Sequence, residues 1–441
     1  MCLTELARTI CENLQWVAPN GNNKYYRDAL AFQNHAGEGT EENMVKKELI
    51  ELLFEAASIQ RWNDHIRPHK GFTELDKQAH KMIFAYVLAK FETADRNTPI
   101  SWRKLIEGGF FELLHRIVLT DIKPPIFHKL MAEKGDKLND WVLDRLRDSV
   151  APVGGGFADN FSIYLFDAEY AALEKKILKA AHYLATNWEF SIIYHLNANL
   201  YGLNETKAKI ADEIEEHYEL AGVQKLQLGK KTSHFMDLVG QLRFQQRWAQ
   251  TPRIPETSVM GHMLIVAMLS YLASVELGAC DKRVSNNYFS GLFHDLPEVL
   301  TRDIVSPVKR SVEGLEELIK EIESRQVEEK LLPLLPAAWH KELRYFMEDE
   351  FANKICLDGS VRHVEPGEIG RQFNEDCYSP IDGELIKTCD HFAAYMEAYL
   401  SMSHGVRSHY LKDGYHALFE QYREKKVAGM EFGRWFNYFQ L

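Results

Sequence analysis

The chain has 441 residues, 46% of them hydrophobic and 26% charged, which places it among folded globular proteins with room for two cores, not among disordered or membrane-embedded chains. Fifty-two basic residues against 64 acidic ones leave a net charge of −12, which disfavours indiscriminate binding to nucleic acid or anionic lipid. Six cysteines without CxxC spacing suggest neither a zinc knuckle nor a disulfide framework, and with no basic-then-apolar leader at Met1 to Arg8 a cytoplasmic location is expected.

Residues 1–40 mix a short helical pattern with Pro19-Asn-Gly-Asn-Asn23 and the glycines Gly37 and Gly39, and read as an irregular appendage. Helical periodicity begins at Glu42 and dominates the rest of the chain, with loops expected at Val153-Gly-Gly-Gly-Phe157, at Glu365-Pro-Gly367 and from Tyr378 to Gly383. His262 opens an apolar run, Met263 to Ala273, that is too short and too near Glu276 to cross a bilayer and so reads as a buried helix. A histidine at the mouth of a core helix needs a partner. The stretch Gly291 to Lys309 holds an adjacent His294-Asp295 pair with Glu298 a turn further on, which puts an imidazole and two carboxylates along one side of a helical turn. Leu385 to Ala398 is a further apolar helix with Asp390 embedded in it, and a buried carboxylate is costly unless paired or bound to a metal. His262, His294, Asp295 and Asp390 thus form a two-His, two-Asp donor set suited to a borderline divalent cation, with Glu298 left over for acid-base work. The charged stretch Val312 to Lys330 reads as a solvated helix face, and the aromatic tail from Tyr410 to Phe439 as a helical lid packed on the core.

The chain also repeats itself. Gln60-Arg61-Trp62 returns as Gln246-Arg247-Trp248, the run Gly109 to Pro125 returns as Gly291 to Pro307, and Ile177 to His182 returns as Leu385 to Asp390. His80 opens an apolar helix as His262 does, and the spacing from His to Gly is the same in both halves (109 − 80 = 29 and 291 − 262 = 29). The reading is therefore all-α, with two tandem helical domains: the appendage at 1–40, a degenerate copy at 41–220 and an active copy at 221–441. Where the second copy has His294, Asp295, Glu298 and Asp390, the first has Glu112, Leu113, Arg116 and His182; leucine cannot ligate a metal. His80, Glu112 and His182 are the residues that could still hold a cation there, against the plainer reading of His80 as a satisfied core histidine.

His262, His294-Asp295 and Asp390 resemble the H…HD…D pattern of the HD-domain metal-dependent phosphohydrolases. The run His294-Asp295-x-x-Glu298-Val-Leu-Thr-x-Asp303-x-x-x-Pro307-Val-Lys309, with Arg247-Trp248 before it, is similar to that of the YfbR-like 5′-deoxynucleotidases, over about residues 233–400. The resemblance implies an HD-type fold for both copies and one divalent metal ion (Mn, Co, Mg, Zn, Ni or Fe) on His262, His294, Asp295 and Asp390. It further implies Glu298 and Asp303 as catalytic residues, and Arg247, Trp248 and Lys309 as substrate-binding residues. Asp303 has a counterpart, Asp121, in the degraded copy, so a turn or capping role competes with catalysis there. The implied substrate is a (deoxy)nucleoside 5′-monophosphate. The alternatives are another nucleotide (a triphosphate, cyclic nucleotide or alarmone) or a nucleotide-responsive binding protein with a vestigial site. No nucleic-acid or membrane partner is expected. Because relatives often form dimers, the chain is expected to be a monomeric pseudo-dimer or a homodimer. Two departures stand out: Gly261 precedes the first His where an acidic residue is common, and Pro297 suits the first turn of a new helix.

Overall fold

Apolar residues at helical spacing make residues 44–304 and 312–441, which this computed structural model describes, predominantly helical. In chain order the first half contains α1 (Lys47–Glu55), α2 (Glu74–Arg96), α3 (Trp102–Leu119), α4 (Pro124–Val150), α5 (Phe157–Phe166), α6 (Ala172–Leu196), α7 (Leu203–Glu215) and α8 (Ala221–Gln227). Then come α9 (Lys231–Gly240), α10 (Val259–Glu276), α11 (Asp281–Phe293), α12 (Glu298–Thr301), α13 (Leu315–Gln326), α14 (His340–Met347), α15 (Glu368–Gln372), α16 (Gly383–Ser403), α17 (His409–Tyr422) and α18 (Gly433–Asn437). Between α14 and α15 an antiparallel hairpin pairs β1 (Lys354–Leu357) with β2 (Ser360–His363), in register Lys354 to His363. Its turn, Asp358-Gly359, takes positive φ at both residues, as a tight two-residue connection requires. The expected appendage at 1–40, and Pro307 and Lys309 of the motif, lie outside the described residues.

Two long helices set the frame. Thr73 caps α2 by accepting from the Asp76 amide at 3.1 Å, and Ser258 caps α10 by accepting from the Gly261 amide at 2.9 Å. Before each helix an isolated antiparallel bridge, Gln60 to Thr73 and Gln246 to Ser258, closes a loop that opens with an Arg-Trp pair. Both tryptophans have left-handed backbones, with φ of 56° at Trp62 and 54° at Trp248. These matching caps and bridges correct one correspondence read from the sequence. Thr73 and Ser258 are equivalent, and one turn beyond its cap α2 carries Lys77 where α10 carries His262. His80 sits one turn further along; counted from Lys77 the interval to Gly109 is three residues longer than that from His262 to Gly291 (109 − 77 = 32 against 291 − 262 = 29), α2 having 23 residues to the 18 of α10.

The helix α10 is apolar and long enough to cross a membrane by length and composition, yet 94% of it is buried inside the protein. It packs against α2, α11 and α16. Gly261 is what allows α2 so near: a Cβ there would lie 2.9 Å from Asp76 Oδ1 and 3.0 Å from Leu75 Cδ2. The apolar core runs without a break through both halves, as in the contacts of Tyr86 with Phe289 and Phe293 and of Tyr271 with Phe110. The aromatic tail joins it, with Phe432, Trp435, Phe436 and Phe439 gathered on Phe392 of α16. On α13 only Ile319 is buried, as a solvated face requires.

Candidate metal centre

Three helices bring the donors together. His262 stands one turn into α10, His294 and Asp295 leave the C-terminal end of α11, and Asp390 stands on α16 with Glu397 two turns later on the same face. Donor atoms of His262, His294 and Asp390 lie within 4.8 Å of one another, the one such cluster of His, Cys, Asp and Glu among the described residues. His262 Nε2 is 2.9 Å from Asp390 Oδ1. Asp295 Oδ2 lies 3.2 Å from His294 Nε2, off the hydrogen-bonding direction, so that this buried nitrogen has no hydrogen-bond partner.

Behind each imidazole stands an acceptor, within hydrogen-bonding distance for His294 and further off for His262. His294 Nδ1 donates to the Gly291 carbonyl at 2.8 Å, which fixes the ring and leaves Nε2 facing the cluster. His262 Nδ1 faces Glu397 Oε1 at 3.6 Å. Burial opposes charge on His294, Asp295 and Asp390, but the opposite charges outweigh it: Asp295 and Asp390 push His294 up to about 9, and the histidines with Arg247 hold both aspartates far below the usual carboxylate range.

Glu397 is the site residue that the sequence reading passed over. The signal was there, a second acid seven residues after Asp390 in the same apolar helix. Its carboxylate is 1% exposed and accepts from Thr257 Oγ1 at 2.5 Å and Trp248 Nε1 at 2.9 Å, with Arg253 Nη1 at 3.6 Å. Burial works against its charge, and Arg253, His262 and Arg247 more than offset that.

The structure places Arg247 beside the cluster, with Nη1 3.4 Å from Asp295 Oδ2, Nη2 3.9 Å from Asp390 Oδ1 and Nε 4.0 Å from Glu397 Oε2. Its burial is outweighed by Glu397, Asp303, Asp295 and Asp390, which keep it firmly charged. Trp248 spends its N–H on Glu397, and its ring tip leans on α17 where Gly414 leaves room. Glu298 is buried at the start of α12, its amide donating to the Asp295 carbonyl at 3.1 Å, and Pro297 directly precedes that new helix. Asp303 is half-buried and near enough to Arg247 to strengthen its charge.

The equivalent place in the first half is built around ammonium groups. Lys77 Nζ lies 2.5 Å from His182 Nδ1, the pairing that His262 and Asp390 make in the second half. Lys81 pairs with Glu112, which also accepts from Tyr164 at 2.6 Å. Glu189 repeats Glu397, accepting from Arg61 Nε at 2.8 Å, Trp62 Nε1 at 2.9 Å and Arg243 Nη1 at 2.8 Å. His80 is bonded elsewhere, to the Met236 carbonyl and to Arg243, each at 3.1 Å, so it belongs to the core and not to a donor set with Glu112 and His182.

Residues 239–419 match the HD domain family. A 5′-deoxynucleotidase of Vibrio atlanticus (strain LGP32) is 29% identical over 127 residues, which cover 28% of this chain and 65% of that protein. One from Photobacterium profundum is 29% identical over 125 residues, 28% of this chain and 64% of that protein, so the chain spans just under two thirds of these two relatives. The 5′-deoxynucleotidase YfbR of Escherichia coli (strain SMS-3-5 / SECEC) is 27% identical over 178 residues, 40% of this chain and 76% of that protein. No solved structure matches the chain. Over residues 239–419 the second half of the chain is thus similar to HD domains, and the 5′-deoxynucleotidases, YfbR included, are among the proteins it resembles.

Proposed function

We propose that the chain is a metal-dependent phosphohydrolase that removes phosphate from (deoxy)nucleoside 5′-monophosphates. What carries the reading is the convergence of His262, His294 and Asp390 within 4.8 Å, with Asp295 and Arg247 beside them. The donor set fits a borderline divalent ion: a buried His294 Nε2 with no hydrogen-bond partner, a second imidazole, two carboxylates, a carbonyl that fixes the His294 ring and a carboxylate 3.6 Å behind that of His262. When bound, such an ion supplies Lewis acidity toward water and a phosphate oxygen. The remaining roles belong to the chain. Arg247 offers a guanidinium fork to the phosphate dianion, and its charge is held on through the reaction by the surrounding acids. Glu298 is the group we assign to take the proton of the attacking water, a reading supported by its burial next to Asp295 in the chain turn, and Asp303 steadies Arg247. Trp248 walls the site and, with its N–H on Glu397, cannot swing away freely; a sugar packed on it is where a 2′-hydroxyl would be disfavoured.

The test is a panel of nucleoside mono- and triphosphates, cyclic nucleotides and alarmones with Mn²⁺, Co²⁺ or Mg²⁺, scored for inorganic phosphate against pyrophosphate or triphosphate. Release of phosphate from deoxynucleoside monophosphates, lost in Asp295→Ala, is expected. Pyrophosphate or triphosphate release would reassign the substrate, and full turnover by Asp295→Ala would end the enzymatic reading.

A further inference from the structure

A second cavity, of about 440 Å³, opens between the starts of α2 and α10, in the size range of small-molecule sites. Both N-caps, Thr73 and Ser258, line it, so the positive ends of a 23-residue and an 18-residue helix meet at one place. Lys70, Arg243 and Arg253 line it too, and the two arginines are each only 3% exposed.

Those guanidinium groups are not fully used. Arg243 gives Nη1 to Glu189 and Nη2 to His80, and its Nε has no hydrogen-bond acceptor. Arg253 gives Nη2 to Thr257 Oγ1 at 2.6 Å, to the Thr257 carbonyl at 3.1 Å and to the Arg247 carbonyl at 3.3 Å, while Nε and Nη1 have no hydrogen bond, Nη1 being 3.6 Å from Glu397. Burial draws Arg253 below the ordinary guanidinium range, with Glu397 beside it offsetting only part of that. Two acids face the same space. Asp76 is engaged by the Ser258 hydroxyl and is pushed by burial toward its neutral form, and Glu256 is paired with Lys70 at 3.3 Å. Lys70, Arg243 and Arg253 each have an acid beside them, Glu256, Glu189 and Glu397, and the two helix ends add partial positive charge to a wall of paired cations.

We propose that this cavity binds a phosphorylated small molecule of nucleotide size, as an effector of the metal centre. The route between them is short. Ser258 caps the helix that carries His262, and Thr257 and Arg253 hold the Glu397 carboxylate that faces His262 Nδ1. A phosphate in the cavity competes with Glu397 for the Arg253 guanidinium, which changes how Glu397 stands against the imidazole. This regulatory part rests on the phosphohydrolase reading; the binding part does not.

The experiment is calorimetric titration of metal-free Asp295→Ala protein with inorganic phosphate, deoxynucleoside monophosphates and deoxynucleoside triphosphates. It is repeated with Lys70→Ala or with Ser58→Trp added; Ser58 is an exposed lining residue, so that variant fills the mouth without touching the core. Each cavity variant is expected to bind one equivalent fewer of the preferred ligand than its parent, or to bind it at least about tenfold more weakly. In the otherwise wild-type chain, the same ligand is expected to change kcat at saturating substrate by about threefold or more, and both cavity variants to keep the basal rate but lose that response. Binding that is absent, or unchanged by both variants, would overturn the site. Altered binding with no change in kcat would overturn its coupling to the metal centre. A chain that turns over no substrate yet still shows cavity-dependent binding would remove the phosphohydrolase reading and leave the binding site standing.

Discussion

Removing one partner from a buried ion pair costs about 3–5 kcal/mol, because the charge left behind has no compensation. Glu397 is such a partner for Arg253, Arg247 and His262 together, so Glu397→Ala is expected to lower the urea midpoint by that order and Glu397→Gln by less. Glu397→Gln keeps an acceptor for Trp248 and Thr257 but cannot orient His262 by charge. Its affinity for Mn²⁺, followed by calorimetry, should fall about 10–100-fold. A second prediction concerns acid. Burial raises the pKa of Glu74, but Arg61, Lys77 and Arg116 outweigh it and lower it from 4.5 to about 2. Its folded pKa lies below its unfolded one, so its contribution, of the order of 3 kcal/mol, is whole above pH 4.5 and disappears as pH falls toward 2. Urea midpoints of wild type and Glu74→Gln should converge across that window; a constant gap would refute the assignment.

At the scale of elements, the starts of α2 and α10 are the exposed points of the design. Losing a Ser or Thr cap costs about 1 kcal/mol. Thr73→Ala should cost that much, whereas Ser258→Ala should cost more, since it also strips the buried Asp76 of the hydroxyl it accepts from. Chemical denaturation of the two variants decides the order. Gly261→Leu would force α2 and α10 apart against Asp76 and Leu75 and should cost about 1–3 kcal/mol, with loss of metal affinity because His262 is the next residue.

For the whole molecule, the repeated caps, bridges and Arg-Trp loops support a proposed duplication in which the first half serves as a built-in partner for the second. Lys77 and Lys81, 2% and 1% exposed, stand where the other half gathers donors, Lys77 against His182 and Lys81 against Glu112. Elemental analysis is therefore expected to find one metal per chain, and none in Asp295→Ala. Since the core is shared, residues 221–441 expressed alone should aggregate or self-associate, as size-exclusion chromatography would show. A folded, monomeric and fully active second half would count against the partner role.

Helical periodicity and the HD-type spacing were legible in the residues themselves, because each depends on local pattern: a face every three or four residues, two donors side by side; the proposed repeat rests on motifs met twice. Even Asp390 could be picked out, since an acid inside an apolar helix demands an explanation from sequence alone. Tertiary structure decided the rest. That Lys77 and not His80 answers to His262 follows from where each helix is capped, which spacing along the chain does not reveal. That Glu397 holds His262, that Gly261 makes way for Asp76, and that two helix ends and two half-used arginines share a cavity all depend on segments more than a hundred residues apart being pressed together. Contacts of that kind are settled by packing, and packing is a property of the folded chain as a whole.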